Sequence, residues 1–372
     1  MEGPRPPRRR ELAQVAQLHE RVFGVTHREE AASEGPVARS RGVRPKRVLI
    51  VVEDGRPASH IAMYYDAVSL LGCRVRTASI SGVCTAPESR GRGYAGLILD
   101  YCLREAEARG TRVLIVSGDR GLYQRAGCRA VGVMHSATAR PEHLPQPRRS
   151  AHVRRGGPED ESLIRALHSR EPVRFYRCAD TWAELHAAWR RGWPEAWIVE
   201  WCGVPLAYLW VGPLWRPPRE PIREVYEYAG SRLAIAEALP GLVRALGLRE
   251  LVFSFPGWEQ ELVSLLTERG IQSRPGPLPG THRLLDLPGL MRDLAPYLAE
   301  RLPRSIRRDL SFGQSRDRCF FSFREESVEL DLGAAAELVL GGPASPATAG
   351  QLGEVLAQIL PVPFPSPGMN MV

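Results

Sequence analysis

The sequence predicts a mixed α/β (α+β) protein built from two similar α/β domains in tandem and a small third α/β unit. Three observations lead there. Residues 77–85 are extended, and they run through a Pro-containing turn and the glycine-rich stretch 90–96 into a segment where Tyr94, Leu97, Ile98, Tyr101 and Cys102 recur at helical spacing. The same order of hairpin, strand, helix and strand returns over 196–269. Residues 282–360 then place a hairpin pattern between helical ones.

Taken in order, residues 1–10 are rich in Pro and Arg and are expected to be a disordered tail. Leu12, Val15, Ala16, Leu18 and Val22 mark an amphipathic helix over 11–23. Residues 26–44 are polar and irregular, a loop expected beside a substrate entrance. Val48 to Val52 is an unbroken apolar run, hence a buried strand. Glu53-Asp54-Gly55-Arg56 is a hairpin signal, with 59–68 as the returning strand. Leu71-Gly72-Cys73 turns the chain into the strand that meets the glycine stretch. A β-branched strand at 112–116, a short helical piece at 122–126 ended by Gly127, and a last strand at 128–134 complete a first domain over 11–138.

Residues 139–157 are Pro-, Arg- and Gly-rich and read as a linker. The second domain, 158–279, repeats the later half of the first. Its Tyr228-Ala229-Gly230-Ser231 passes straight into a helix, leaving no room for an anion cradle and offering no arginine pair. A duplication whose second copy has lost its ligand is expected. In the third unit, 280–372, a helix is expected over 290–302, a hairpin over 319–332, and helices over 333–340 and 347–360.

Composition narrows the class. A chain of 372 residues with 44% apolar and 25% charged residues has the makeup of a soluble globular protein. No apolar run approaches the roughly 20 residues of a membrane helix, and the start lacks a signal-peptide core. The seven cysteines are scattered and never spaced as CxxC, and the nine histidines form no ligand-spaced pair. No metal site is therefore expected, and a reducing cytoplasm fits. The net charge of +8 comes almost wholly from arginine, Lys46 being the only lysine. No basic face is interleaved with aromatics, which argues against nucleic acid as a partner.

The glycine stretch carries the chemistry. Gly91 and Gly93 let main chain approach a ligand closely, and the first amides of a helix lack internal partners. With the helix dipole these amides suit a diphosphate, and Arg90 and Arg92 add charge beside it. Gly91-x-Gly93-x-x-Gly96, with Asp119 downstream, also spells a dinucleotide fingerprint, so an NAD(P)-binding oxidoreductase is one alternative. Against it, Ala86 to Arg90 separate the strand from the first glycine, and the preceding strands are joined by short turns.

The pattern Arg90-x-x-Gly93-x-Ala95, with Tyr123 four residues before Gly127, resembles the coenzyme A loop of the GNAT N-acetyltransferases over most of 10–138. Cys128 stands where that family usually carries an aromatic residue. A GNAT domain, a degenerate copy and a sterol-carrier-like C-terminal unit together resemble the enhanced-intracellular-survival (Eis-like) bacterial acetyltransferases. That resemblance implies acetyl-CoA as co-substrate, a small-molecule or peptide amine as acceptor, and a homo-oligomer, a hexamer in that family.

It also implies roles. Val83, Cys84 and Thr85 would pair through their main chain with the pantetheine arm; Arg90, Gly91, Arg92, Gly93, Tyr94, Ala95 and Gly96 would hold the diphosphate. Gly118 and Asp119 would line the same cleft. Tyr123 would be the general acid, a phenol able to protonate a thiolate of lower pKa. An alkylamine needs a base to lose its proton, at about 4–5 kcal/mol at neutral pH, yet residues 79–85 hold no carboxylate. The resemblance points to the C-terminal carboxylate, here that of Val372, at the end of a tail stiffened by prolines 361, 363, 365 and 367 and anchored by Phe364 and Met369. A solvated tail is the other reading. A non-catalytic acyl-CoA-binding or lipid-carrier protein is the further alternative. The tryptophans at 182, 189, 193, 197, 201, 210 and 215, which crowd the second domain, suit either an aromatic pocket or core packing.

Overall fold

A computed structural model describes residues 1–24, 46–143, 151–192, 194–214, 221–342 and 348–370. The expected entrance loop at 26–44, much of the linker, Trp193, Trp215 and Val372 lie outside the described residues. The chain forms two compact units: one holds Met1–Val131 and Pro279–Pro363, the other Gly132–Leu278 and Phe364–Asn370.

The first unit is organised by a sheet of β1 (Glu2–Arg5), β2 (Lys46–Glu53), β3 (Arg56–Leu70), β4 (Cys73–Thr85), β5 (Val113–Val116) and the late strand Thr281–Leu284, in that spatial order. Asp54-Gly55 and Leu71-Gly72 turn β2 into β3 and β3 into β4 with positive φ at both residues of each pair, the handedness that tight hairpins need. β4 and β5 run parallel, joined by helix α2 (Tyr94–Ala108), which follows α1 (Leu12–Phe23) in the chain. Alternation along β2 explains its unbroken apolar run. Leu49 and Val51 face α2 together with Ile61, Met63 and Ile80, meeting Ile98, Leu99 and Cys102. Ile50 and Val52 face the other way, against Val15 of α1.

Two expectations are corrected here. Residues 1–10 are not a disordered tail, because Glu2–Arg5 adds an edge strand to β2. Buried Glu11 holds it there, receiving both Arg5 terminal nitrogens at 2.8 Å and the Arg8 amide at 2.6 Å. The strand expected at 128–134 does not close the first domain. Arg129 only bridges His282, and Thr281–Leu284 takes the place beside β5.

The rest of this unit follows from 285 onward. The helix expected over 290–302 is two, Leu287–Asp293 and Ala295–Arg301. Strands Leu310–Ser315, Arg318–Phe323 and Glu326–Asp331 form a three-stranded antiparallel sheet, one strand more than expected. Arg112, 8% exposed, ties this part to the first domain through Asp286 and, at 2.8 Å, Asp293.

The second unit has its own sheet, in the order Ser273–Gly276, Met134–Ala139, Glu250–Pro256, Ile222–Gly230, Val204–Pro213, Glu195–Trp201 and Ala151–Arg155. Both Met134–Ala139 and the strand from Ala151, read from sequence as domain end and linker, belong to it. Ile222–Gly230 runs parallel to Glu250–Pro256 across helix Arg232–Ala245, repeating β4, α2 and β5. Trp182, Trp189, Trp197 and Trp210 are buried in its core, which settles those four as packing. No helix among the described residues is long and apolar enough to cross a membrane.

In this copy the start of the helix is already satisfied. Ser231 Oγ accepts the Ala234 amide at 3.2 Å, and the Glu171 carboxylate accepts the Gly230 amide at 2.8 Å. Arg232 donates to the same carboxylate at 2.7 and 2.8 Å and also to Glu259. A side-chain anion thus stands at the main chain that a ligand anion would need. Removing it should leave Arg232, which is largely buried, with Glu259 as its one remaining carboxylate among the described residues. Glu171→Ala is expected to destabilise the second unit by about 2–3 kcal/mol, read as a lower denaturation midpoint at unchanged slope. An unchanged midpoint would show that the carboxylate only decorates the surface.

Candidate active site

The site begins where β4 and β5 part. Their parallel pairing covers Thr77 to Ile80 against Val113 to Val116 and ends there. β4 runs on to Thr85, paired only with β3. Gly82, at φ +62°, sits in an irregularity of that pairing. On the β3 side, the Cys84 carbonyl accepts Ser59 Oγ at 3.0 Å and the Ala86 amide donates to Ala58 at 2.8 Å. By the alternation of a β-ladder, the main-chain groups of Val83 and Thr85 face the gap. An extended chain with amide groups of its own fits such an edge as a strand would.

At the end of β4 a 3-10 turn, Pro87–Ser89, leads into the glycine loop. Gly91 and Gly93 both adopt the left-handed region, at φ +80° and +79°. Gly93 caps α2 with no side chain on its first amides, in contrast to Ser231 in the second unit. A Cβ placed at Gly91, Gly93 or Gly96 would meet nothing within 4 Å. The first amide of this start to find a main-chain acceptor is that of Leu97, which donates to Gly93 at 3.0 Å. No such bond among the described residues takes up the amides of Tyr94, Ala95 and Gly96, which suits a diphosphate. The 3-10 turn between strand and first glycine, and the antiparallel β3 alongside, are not the geometry of a dinucleotide fingerprint.

Glu53 was not singled out from the sequence, yet it organises this loop. From the end of β2 its carboxylate accepts Ser89 Oγ at 2.9 Å and Tyr94 Oη at 2.7 Å, and it pairs with Arg92. The Tyr94 hydroxyl, with Ser89 and Arg92, holds the Glu53 carboxyl below its ordinary range. Arg92 is thus committed to the loop itself. Arg90 is exposed beside it, and of the two arginines it is the one left to face a ligand. Glu53 also occupies a hairpin signal, and that local reading hid it.

Tyr123 stands in the short helix Gly121–Arg125 after β5, 5% exposed. Its ring lies against Gly118, where a Cβ would come within 3.0 Å of Cε2. Gly118 is fixed in turn, its carbonyl accepting Thr281 Oγ1 at 2.8 Å. Burial pushes the Tyr123 phenol up to about 12, so it keeps its proton throughout the neutral range. Asp119 is exposed, its carbonyl accepting the Gln124 side chain at 3.0 Å. Cys128 is fully buried, and burial raises its thiol to about 11, which suits packing rather than a nucleophile. No carboxylate lies on β4. Asp66 is opposite Thr77, roughly 25 Å along the strand from Thr85.

The comparisons agree with this geometry. Residues 4–131 match the family model described as Acetyltransferase (GNAT) domain, and the first domain is a GNAT acetyltransferase domain. Over the whole chain the fold is the tandem one of solved bacterial relatives. The GCN5-related N-acetyltransferase from Kribbella flavida aligns with TM-score 0.66 at 18% identity, covering 97% of each chain. Eis1 from Mycobacterium abscessus aligns with TM-score 0.62 at 15% identity, covering 96% of this chain and 97% of its own. A probable N-acyltransferase from Enterococcus faecalis V583 gives 0.67 at 12%, covering 97% and 96%. Comparison with curated protein sequences finds no significant match.

Gly96 separates fold from ligand. It lies inside α2, where alanine is worth about 1 kcal/mol more than glycine, and its Cβ would meet no protein atom within 4 Å. Gly96→Ala is expected to raise the melting temperature and to weaken acyl-CoA binding measured by calorimetry. Unchanged binding would mean that the diphosphate does not reach this turn.

Proposed function

We propose that this protein is an N-acetyltransferase that passes an acetyl group from acetyl-CoA to a primary amine by direct attack in a ternary complex. The observation that carries the reading is the parting of β4 and β5 directly before an uncapped helix start lined by open glycines. The Val83 and Thr85 main chain would align the pantetheine arm and polarise the thioester carbonyl. Arg90 and the first amides of α2 would hold the diphosphate. Tyr123 would give its proton to the sulfur as the C–S bond breaks.

The base is assigned to the Val372 carboxylate. Support comes from the tail just before it, which is seated in the second unit. Phe364 and Met369 are 2% and 1% exposed. Asn370 Oδ1 accepts two bonds from Arg177, at 2.7 and 3.1 Å. Burial alone would raise the Glu227 carboxyl, but its pairing with the same Arg177 outweighs that and holds it down, near 2. Asn370 is thus held within the second unit by a buried charged network.

Residues appended after Val372 should cut turnover by 10²–10⁴-fold, roughly the range for a lost general base, while acetyl-CoA affinity stays within about twofold. Val372→Ala should be mild, because the carboxylate remains. Tyr123→Phe should slow turnover as well, and its deficit should shrink as pH falls and solvent protonates the thiolate. An extended protein that turns over at the wild-type rate would remove Val372 from the mechanism.

The lack of any carboxylate on β4 favours a second reading, an acyl-CoA-binding protein without turnover, whose C-terminal unit serves as a lipid-carrier or interaction domain. Release of free thiol from acetyl-CoA across aminoglycosides, polyamines and peptides decides between them. Thiol release above the hydrolytic background with any amine supports the transferase. Coenzyme binding with no release across the panel supports the carrier. The resemblance also supports a homo-oligomer, for which light scattering at micromolar concentration should exceed the 41.3 kDa of one chain; a monomer would refute it.

A further inference from the structure

We propose that His19, His60 and Cys84 form a zinc site in the first domain, on the face of the sheet opposite α2. The three residues come from α1, β3 and β4 and are remote in sequence. His60 and Cys84 are cross-strand partners, so their side chains leave the sheet on one face. α1 lays His19 over them, with its ring at 5.3 Å and nearly perpendicular to that of His60. One ligand atom from each of the three lies within 4.8 Å of the others, and all three residues are buried. Bonds of about 2.0–2.3 Å place the donors of tetrahedral zinc roughly 3.3–3.8 Å apart. Small side-chain rotations close that difference.

The surroundings are built for the cluster. His60 Nδ1 lies 2.7 Å from the Gly82 carbonyl. A carbonyl only accepts, so Nδ1 carries the proton and Nε2 would be the ligand nitrogen. An imidazole oriented by a backbone carbonyl is the usual outer support of a metal-bound histidine. Gly82 also makes room, since a Cβ there would come within 2.7 Å of His19 Nε2. Two imidazoles and a thiolate suit zinc and exclude calcium or magnesium. As the Sγ–Zn bond forms, the Cys84 thiol releases its proton to solvent, and water completes the fourth position. The metal would then clamp α1 to β3 and β4.

The test uses the full-length chain without an affinity tag, stripped with chelator and titrated with Zn²⁺ by calorimetry and with Co²⁺ by absorbance. One metal per chain is expected, with the thiolate-to-cobalt charge-transfer band and the intense visible bands of a tetrahedral site. Cys84→Ser should abolish the charge-transfer band, and His60→Ala should weaken zinc at least about 100-fold. Cys102→Ser, at another buried cysteine in α2, should leave both unchanged. Should the ligand variants fail to fold, alkylation of the native chain under partial opening keeps the question open to measurement. Zinc should then shield Cys84 selectively, mapped by peptide mass. No cobalt band in the native chain, a band that survives Cys84→Ser, or alkylation of Cys84 indifferent to zinc would each overturn the site.

Discussion

The site in this protein depends on a pair of parallel strands that stops being a pair. Up to Ile80 and Val116 the two strands satisfy each other. Past that point β4 keeps only its β3 neighbour and exposes an edge inside the fold. An unpaired edge is normally something a protein hides or blunts. Here it is short, flanked by a helix start, and leads to glycines whose missing side chains leave space for a ligand. The Tyr123 helix follows β5 directly after this parting, so the open strand edge and the candidate acid both depend on one divergence.

The two copies show what a helix start demands. Its first amides must meet an acceptor of some kind. In the second unit that acceptor is internal, with Ser231 on the helix and Glu171 on the Gly230 amide. In the first, no side chain among the described residues caps α2, and the Glu53 carboxylate is spent on Ser89, Arg92 and Tyr94. The two helix starts share their dipole and their place in the sheet; what differs is whether the chain has supplied its own anion.

Much of the fold was legible because its signals are local. Hairpin glycines, the periodicity of α2 and the apolar run of β2 each lie within a few residues of what they determine. The errors share the opposite character. The Pro/Arg-rich start became an edge strand because Glu11 and β2 receive it, and neither appears in its composition. Residues 134–139 and 281–284 both carry strand patterns, but which sheet each enters depends on partners more than a hundred residues away. Glu53 was hidden in a turn signal. His19, His60 and Cys84 have no ligand spacing in sequence and meet only because α1 crosses β3 and β4. In the candidate site the glycine loop and the short helix of Tyr123 were readable as elements; the carboxylate that holds the loop in shape was not.

The central claim is that the first copy alone offers its strand edge and helix start to an acyl-CoA. Hydrogen–deuterium exchange with and without acetyl-CoA tests it most directly. The account predicts slowed exchange at the amides of Val83 and Thr85 and of Tyr94, Ala95 and Gly96, with no change at Gly230 or Ala234. Protection at Gly230 and Ala234, or none at the first helix start, would contradict it.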